Sequence, residues 1–322
     1  MSDYYLEFEK PIQAMEKSIG DLKKASNKEK GIDFSIEIAE LEKKLTFIIE
    51  TTYRNLTPWQ VTQVARHPER PQFTDYLKQM FTDFLEIAGD RYFKDDKSII
   101  TGFAKIEGQK FVVVGEERGK NTKERIRRNF GSPNPEGYRK AIRAMKLAEK
   151  YKLPILTFVD TNGAMCGIES EERGQGEAIA RNLFEMSALK TPIVTTVLGE
   201  GGSGGALAIA VADRVLMLEN SIYSVISPEG CASIMWHDAT KAPKAAEILK
   251  LTAKDLLGFQ VIEEIIPEPL GGAHRNYELT MDNVKKAILS HVEDLRKIQG
   301  PKLAQKRYER FRKLGAVGYL KQ

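Results

Sequence analysis

The chain has 322 residues, enough for one large domain or two small ones, with 42 % apolar and 29 % charged residues, the balance of an ordinary folded domain. Its 49 basic and 45 acidic side chains leave a net charge of +4, too even to imply nucleic-acid binding by itself, and no apolar run approaches the roughly 20 residues of a membrane span. Cys166 and Cys231 lie far apart and form no C-x-x-C pair, which excludes a zinc ribbon, gives no expected metal site and makes a reducing, cytoplasmic compartment the default. The opening Met-Ser-Asp-Tyr-Tyr-Leu-Glu is acidic and aromatic, unlike a signal or transit peptide.

Taken in chain order, Ile12, Met15, Ile19 and Leu22 repeat at helical spacing, as do Ile38, Leu41, Leu45 and Ile48. The polar link from Ala25 to Gly31, with Gly31 as the stop, predicts an antiparallel helical hairpin whose narrow apolar stripes need another surface. Thr57 and Pro58 mark a helix start. His67, in the basic Ala65–Pro71 loop, is expected at the surface, and Tyr76, Met80, Phe84 and Ile87 predict a helix over 75–87. Strands are expected at Ile99–Ile106 and Lys110–Gly115 around a tight turn at Gly108. The stretch 119–131 is the most basic of the central region and reads either as a solvated face or as a phosphate-binding segment. A helix follows Pro133–Tyr138.

Ile155–Asp160 is a buried strand ending in the turn Thr161–Gly167, with an acidic helix start at Glu169–Glu172. The same strand–turn–helix pattern recurs more strongly at Pro192–Leu198, the glycines 199, 201, 202, 204 and 205, and an apolar helix over 206–212. Alternating strands and helices predict parallel βαβ units, whose ligands gather at the strands' C-terminal ends, where both turns lie. Later come Arg214–Glu219, Ser221–Ile226, a helix start at Ser227-Pro228-Glu229, an alanine-rich helix from about Ala242, a short strand at Val261–Pro267 and amphipathic helices over 277–315, the basic 306–313 segment being a solvated face.

Three chemistries fit the glycine stretch. Gly199-x-Gly201-x-x-Gly204 with Glu219 twenty residues on has dinucleotide-binding spacing. Gly201-x-Ser203-x-Gly205 has the form of a nucleophile elbow, with His237 or His274 as base. The third is an oxyanion hole of backbone N–H groups for an enolate, which uses no side chain. Close packing without chemistry is the plain alternative.

From Leu56 to His274 the chain resembles the alpha-subunit family of the bacterial acetyl-CoA carboxylase carboxyltransferase. The resemblance rests on Leu56–Gln60, Ala65–Pro68, Gly119–Lys123, Arg128–Gly131, Pro135–Lys140, Glu171–Gln175, Glu177–Asn182, Gly199–Ala208, Tyr223–Ser233 and Ile265–His274. It implies an α/β, crotonase-like ββα superhelix over 56–322 with C-terminal helices, preceded by a helical extension over 1–55. It also implies half an enzyme, paired as α2β2 with a zinc-ribbon beta subunit, taking carboxybiotin from biotin carboxyl carrier protein (loaded by biotin carboxylase) and carboxylating acetyl-CoA to malonyl-CoA, the committed step of fatty acid biosynthesis. No cofactor is covalently bound to such a chain.

By this resemblance the N–H groups of Gly204 and Gly205 hold the biotin-side oxygen, Gly201 and Gly202 allow close approach, and Gly163, Ala164, Ser203, Ser227 and Glu229 bind biotin or substrate. Lys123, Arg127 and Arg128 are candidate contacts for CoA phosphates. The chain departs from the family pattern in three places: Asp160–Gly167 has Asn162, Met165 and Cys166 for proline, tyrosine and proline; Gly115-Glu-Glu-Arg-Gly119 stands for Gly-His-Gln-Lys-Gly; and Gly176 stands for serine. Alternatives are another acyl-CoA acceptor, a decarboxylase subunit, or a non-catalytic assembly or regulatory subunit.

Overall fold

A computed structural model describes residues 4–28 and 34–316; the expected stop at Gly31 lies outside them. The elements, apart from short 3-10 turns, are helices α1 (Lys10–Lys28), α2 (Ser35–Arg54), α3 (Pro58–Ala65) and α4 (Phe73–Met80), then strands β1 (Thr82–Glu86), β2 (Ile99–Ile106) and β3 (Gln109–Glu116). They continue with α5 (Thr122–Arg127), α6 (Pro135–Lys150), β4 (Ile155–Thr161), α7 (Ile168–Glu172), α8 (Gln175–Ala188), β5 (Ile193–Gly202) and α9 (Ser203–Leu207). The last are β6 (Arg214–Leu218), β7 (Ile222–Ser224), α10 (Pro228–Trp236), α11 (Ala242–Leu249), α12 (Ala253–Gly258), β8 (Glu264–Ile266), α13 (Tyr277–Arg296) and α14 (Gly300–Lys313).

The strands form one sheet in the order β1-β2-β3-β4-β5-β6-β8, antiparallel through β3 and parallel from β3 onward. Both faces are covered, so the central strands read as continuous apolar runs. Val112, Ile155, Val159, Ile193, Val197, Val215 and Met217 point to the layer of α6 and α8. Their alternates Val113, Leu156, Phe158, Val194, Leu198 and Leu216 point to the layer of α4 and α13. At about 1.5–3 kcal/mol per fully buried aliphatic side chain, this two-sided packing fixes the register of β4 against β5.

Several expectations change. The periodicity of 75–87 does not continue as one helix: the chain turns extended at Phe81 (φ −116°, ψ 149°), and 82–86 pairs with β2. The Phe84 ring fills the place a side chain at Gly102 would take, so sheet pairing overrides the helical spacing. The apolar run 206–212 is helical only to Leu207, although Ala206, Ala208, Ile209, Ala210 and Ala212 are buried. The 306–313 segment is not a plain solvated face. Arg307 is 1 % exposed and donates to both oxygens of Asp213 (3.1 and 2.7 Å) and to the carbonyls of Met186, Leu189 and Thr191.

The helical hairpin forms as expected, with Ile12 and Ile19 buried. It is tied to the rest by Arg275, which pairs with Glu16 at 2.8 Å and Glu9 at 3.6 Å.

Candidate functional site

Two strand ends meet to build the site. β5 runs longer than its apolar sequence predicts, through Gly199 to Gly202, so those glycines are strand rather than turn. Its first half pairs with β6, while Glu200–Gly202 pairs with β7. The register against β4 shifts between Val159 and Thr161, which places Thr161 opposite Gly201. This aims the 162–167 turn at the start of α9.

The turn is held from three sides. Thr161 Oγ1 donates to Gly131 O (2.6 Å) and accepts from Gly163 N (3.0 Å). Met165 N donates to Pro133 O (3.0 Å), and the Gln175 amide donates to Pro133 O and Met165 O (2.8 and 2.7 Å). Gly163 has φ +145°, open to glycine alone without strain.

The predicted glycines then separate by role. A Cβ on Gly205 would lie 2.5 Å from Ala164 N and 2.6 Å from the Gly163 carbonyl carbon. One on Gly202 would collide with the Asn162 carbonyl, and one on Gly201 would reach the Tyr223 ring at 2.9 Å. At Gly204 the nearest atoms belong to Ile179, at 3.6 and 3.7 Å, an ordinary contact. Close approach therefore demands glycine at 202 and 205 but not at 204. The structure brings Gly201, Gly202, Gly204, Gly205, Gly163 and Ala164 together as two backbone segments. The first-turn N–H groups of α9 have no partner within that helix, so the segments can present donors to an oxyanion.

Beside Ser203 and Gly204 opens a cavity of about 300 Å³ with apolar walls from Leu207, Val215, Leu256, Val261, Phe311 and Leu314. Tyr223 also lines it, its hydroxyl pushed up to about 12 by burial. Ser203 is exposed and has φ +50°, a strained geometry that an elbow would share. Among the described residues no histidine lines this cavity. His237 sits exposed at the C-terminal end of α10, and His274 is stacked on His67 at 3.8 Å between ring centroids. The elbow thus has no base at hand among the described residues. The dinucleotide spacing also fails, because Gly199 and Gly201 lie within a strand and α9 has five residues.

A charged network behind the turns was not legible in the sequence. Arg66 donates to Glu200 (2.5 Å) and Glu229 (2.6 Å), and Arg118 donates to Asp160 (3.3 Å). Asp160 Oδ1 accepts from Glu200 N at 3.1 Å, joining the two strand ends directly. Glu116 accepts from Asp160 N at 3.0 Å, and complete burial, with the Asp160 charge adding to it, pushes its carboxyl well above the usual range. Ser227 caps α10 by accepting from Gly230 N at 3.0 Å, so it serves the helix that carries Glu229. Arg66, Arg118, Arg125, Asp160 and Asn162 line a second cleft of about 270 Å³. Two of the sequence departures, Arg118 and Asn162, therefore meet at one place. The signal for Arg66 was its place in Ala65-Arg-His-Pro68, but nothing local marked its carboxylate partners.

One further expectation is revised. His67 is 3 % exposed rather than at the surface, because Tyr4 packs on its edge and His274 on its face. Of the candidate CoA contacts, Lys123 and Arg127 are exposed on α5, and Arg128 donates to Lys97 O at 2.9 Å; Arg125 is the cation of that helix which reaches the cleft.

The mixed sheet, the doubled strand-end turns and the helices on both faces define a crotonase-like carboxyltransferase fold. Among solved structures, transcarboxylase 12S with methylmalonyl-coenzyme A and methylmalonic acid superimposes with a TM-score of 0.58 at 17 % identity, over 73 % of this chain and 44 % of that one, so the chain spans under half of it. A Pseudomonas malonate decarboxylase hetero-tetramer in complex with coenzyme A matches with a TM-score of 0.55 at 16 % identity, over 70 % of this chain and 92 % of that one. By sequence, the chain is 54 % identical over 313 residues to the acetyl-coenzyme A carboxylase carboxyl transferase subunit alpha of Geobacter metallireducens, covering 97 % of this chain and 98 % of that one. It is 55 % identical over 311 residues to the subunit of the same name from Thermus thermophilus, covering 97 % and 98 %. The chain belongs to the acetyl co-enzyme A carboxylase carboxyltransferase-like family, whose model matches residues 5–315. Its chemistry is that of a biotin-dependent carboxyltransferase.

Proposed function

We propose that this chain is the half of an acetyl-CoA carboxylase carboxyltransferase that holds the biotin-side oxyanion, completed by a zinc-ribbon beta subunit in an α2β2 assembly. The observation that carries this is the seating of Gly205 directly on the 163–164 backbone, with no base beside Ser203. Carboxybiotin, brought by its carrier protein, supplies the carboxyl group: its N–C bond breaks, a C–C bond forms at the acetyl carbon of acetyl-CoA, and the α-proton leaves to the freed ureido nitrogen. The part of this chain is to present fixed backbone donors to the oxygen on which negative charge develops. The apolar cavity beside Gly204 suits a hydrocarbon portion of the bound substrate. Arg66, Arg118 and Asp160 act on geometry, holding β4 and β5 so that the turns stay in register.

Residues 1–55 serve as a helical extension of the 56–322 carboxyltransferase domain. A reducing, cytoplasmic setting suits the two free cysteines. Among the described residues no helix is long and apolar enough to cross a membrane.

The test is malonyl-CoA-dependent carboxylation of free biotin by this chain mixed with a candidate beta subunit, each alone as control. Activity in the mixture only is the expected result. A stable complex without turnover would replace this reading by that of a non-catalytic subunit or an altered acceptor.

A further inference from the structure

A second surface stands apart from the paired turns, formed by residues of the 89–96 loop, α6 and α8. The loop 89–96, between β1 and β2, is held by buried charge. Asp90 is 2 % exposed and accepts from the backbone N–H of Tyr92 (3.0 Å) and Phe93 (2.8 Å) and from Arg139 Nε (2.9 Å). Asp95 accepts from the buried Lys140 (2.6 Å) and from Gly89 N (2.8 Å) and pairs with Lys97 (2.6 Å); against the upward push of burial, Lys140, Lys97 and the Gly89 N–H hold it down at about 2. Asp96 accepts from Ser98 N and Asn134 N.

So rigid a loop nevertheless turns two aromatic rings outward: Tyr92 is 86 % and Phe93 60 % exposed. Single exposed apolar side chains need no account, but an aromatic pair fixed in place by buried aspartates is a presented surface. The Arg139 guanidinium lies 5.9 Å from the Tyr92 ring centre and so holds that ring from its own side of the loop.

Tyr92 forms one wall of an open groove of about 860 Å³ that extends to α6 and α8. Five basic and three acidic side chains line it. Arg139, Lys146 and Arg181 are paired with Asp90 or Glu185. Arg91 and Arg143 are not: neither forms an ion pair with a carboxylate among the described residues. Arg143 spends one nitrogen on the carbonyls of Ala88 and Gly89 (2.8 and 2.9 Å) and leaves its buried Nε without a partner. Burial and the neighbouring Arg91 charge weaken its hold on its proton, against the attraction of the Asp90 and Asp95 carboxylates. Glu177, at the α8 wall, is the remaining acid of the groove and has no ion pair among the described residues.

A flat exposed ring beside two guanidiniums without carboxylate ion pairs matches one ligand chemistry: an aromatic base stacked on Tyr92 with a phosphate chain on the Arg91 fork and the unspent Nη1 of Arg143. We propose that this groove binds a nucleotide through its base and diphosphate. The same chemistry occurs in a free nucleoside diphosphate and in the tail of coenzyme A.

The experiment is calorimetric titration of the full chain with ADP, CoA, pantetheine and pyrophosphate. Saturable ADP binding is expected, weakened about tenfold or more by Tyr92→Ala and by Arg91→Gln. Both substitutions are at exposed loop positions whose side chains make no hydrogen bond among the described residues, so the fold should be intact by circular dichroism. CoA that displaces ADP, with pantetheine inert, assigns the groove to the carrier's tail; ADP binding with CoA inert assigns it to a free nucleotide. No binding of ADP or CoA up to about 5 mM, or binding unchanged in both variants, overturns the proposal. Pyrophosphate binding as tightly as ADP overturns it too, because the ring would then contribute nothing.

Discussion

Gly205→Ala is the most direct probe of the paired turns, because the structure gives its size and provides its own control at the next residue. The added methyl would lie 2.5 Å from Ala164 N and 2.6 Å from the Gly163 carbonyl carbon, both backbone atoms. Ordinary contact begins near 3.4 Å, so the 163–164 segment must retreat by roughly 0.9 Å. The turn cannot yield elsewhere at low cost, since Thr161, Met165 and Gln175 anchor it. A misplacement of about 1 Å in a catalytic arrangement costs about 100-fold in rate, or about 2.7 kcal/mol of transition-state stabilisation. The same substitution at Gly204 meets only Ile179 at 3.6 Å and should leave the rate within a few-fold. The assay is turnover of biotin and malonyl-CoA with the beta subunit at saturating substrate, with thermal melts of both variants alongside. Equal rates for the two variants, or a slow Gly204→Ala with a normal Gly205→Ala, would refute the packing argument.

Ser203→Ala should hold turnover within about threefold, since no base accompanies the hydroxyl; a loss on the order of 10³-fold with normal assembly would restore the elbow reading. Arg307→Met strands the Asp213 carboxylate, 3 % exposed, and should lower stability by about 3–5 kcal/mol in urea unfolding; a loss under about 1 kcal/mol would show that α14 is not pinned there. Acid should destabilise the chain through the histidine stack. His274 is lowered to about 2 by burial and by the neighbouring His67, so the folded state binds fewer protons than the unfolded state between the ordinary histidine value and pH 2. Stability is then full above about pH 7 and falls as pH drops, by about 1.4 kcal/mol at pH 5.5 for His274 alone, and His274→Gln should flatten that slope in melts from pH 5 to 8. An unchanged slope would place the acid sensitivity elsewhere.

The sequence determined what depends on nearest neighbours along the chain. Val112–Val114, Ile155–Val159 and Ile193–Leu198 could only be strands buried on both faces, and Thr57-Pro58 and Ser227-Pro228 only helix starts, because solvation and capping act within a few residues. The dense glycines of 199–205 announced a close approach of backbones, and the ordered motifs around them carried the family. Tertiary structure decided the rest. Phe84 became a strand residue because β2 stood ready to pair with it, and the apolar run after Leu207 stayed irregular although buried. Only the fold revealed that Gly205 is pressed on Ala164 while Gly204 has room, or that Asp160, Arg118, Arg66 and Glu200 form one network from four separate segments. Arg307 looked like part of a solvated basic face until Asp213, 94 positions away, supplied its partner. Burial, charge pairing and steric fit between distant segments are set by distances in space, and no local pattern of residues encodes those distances.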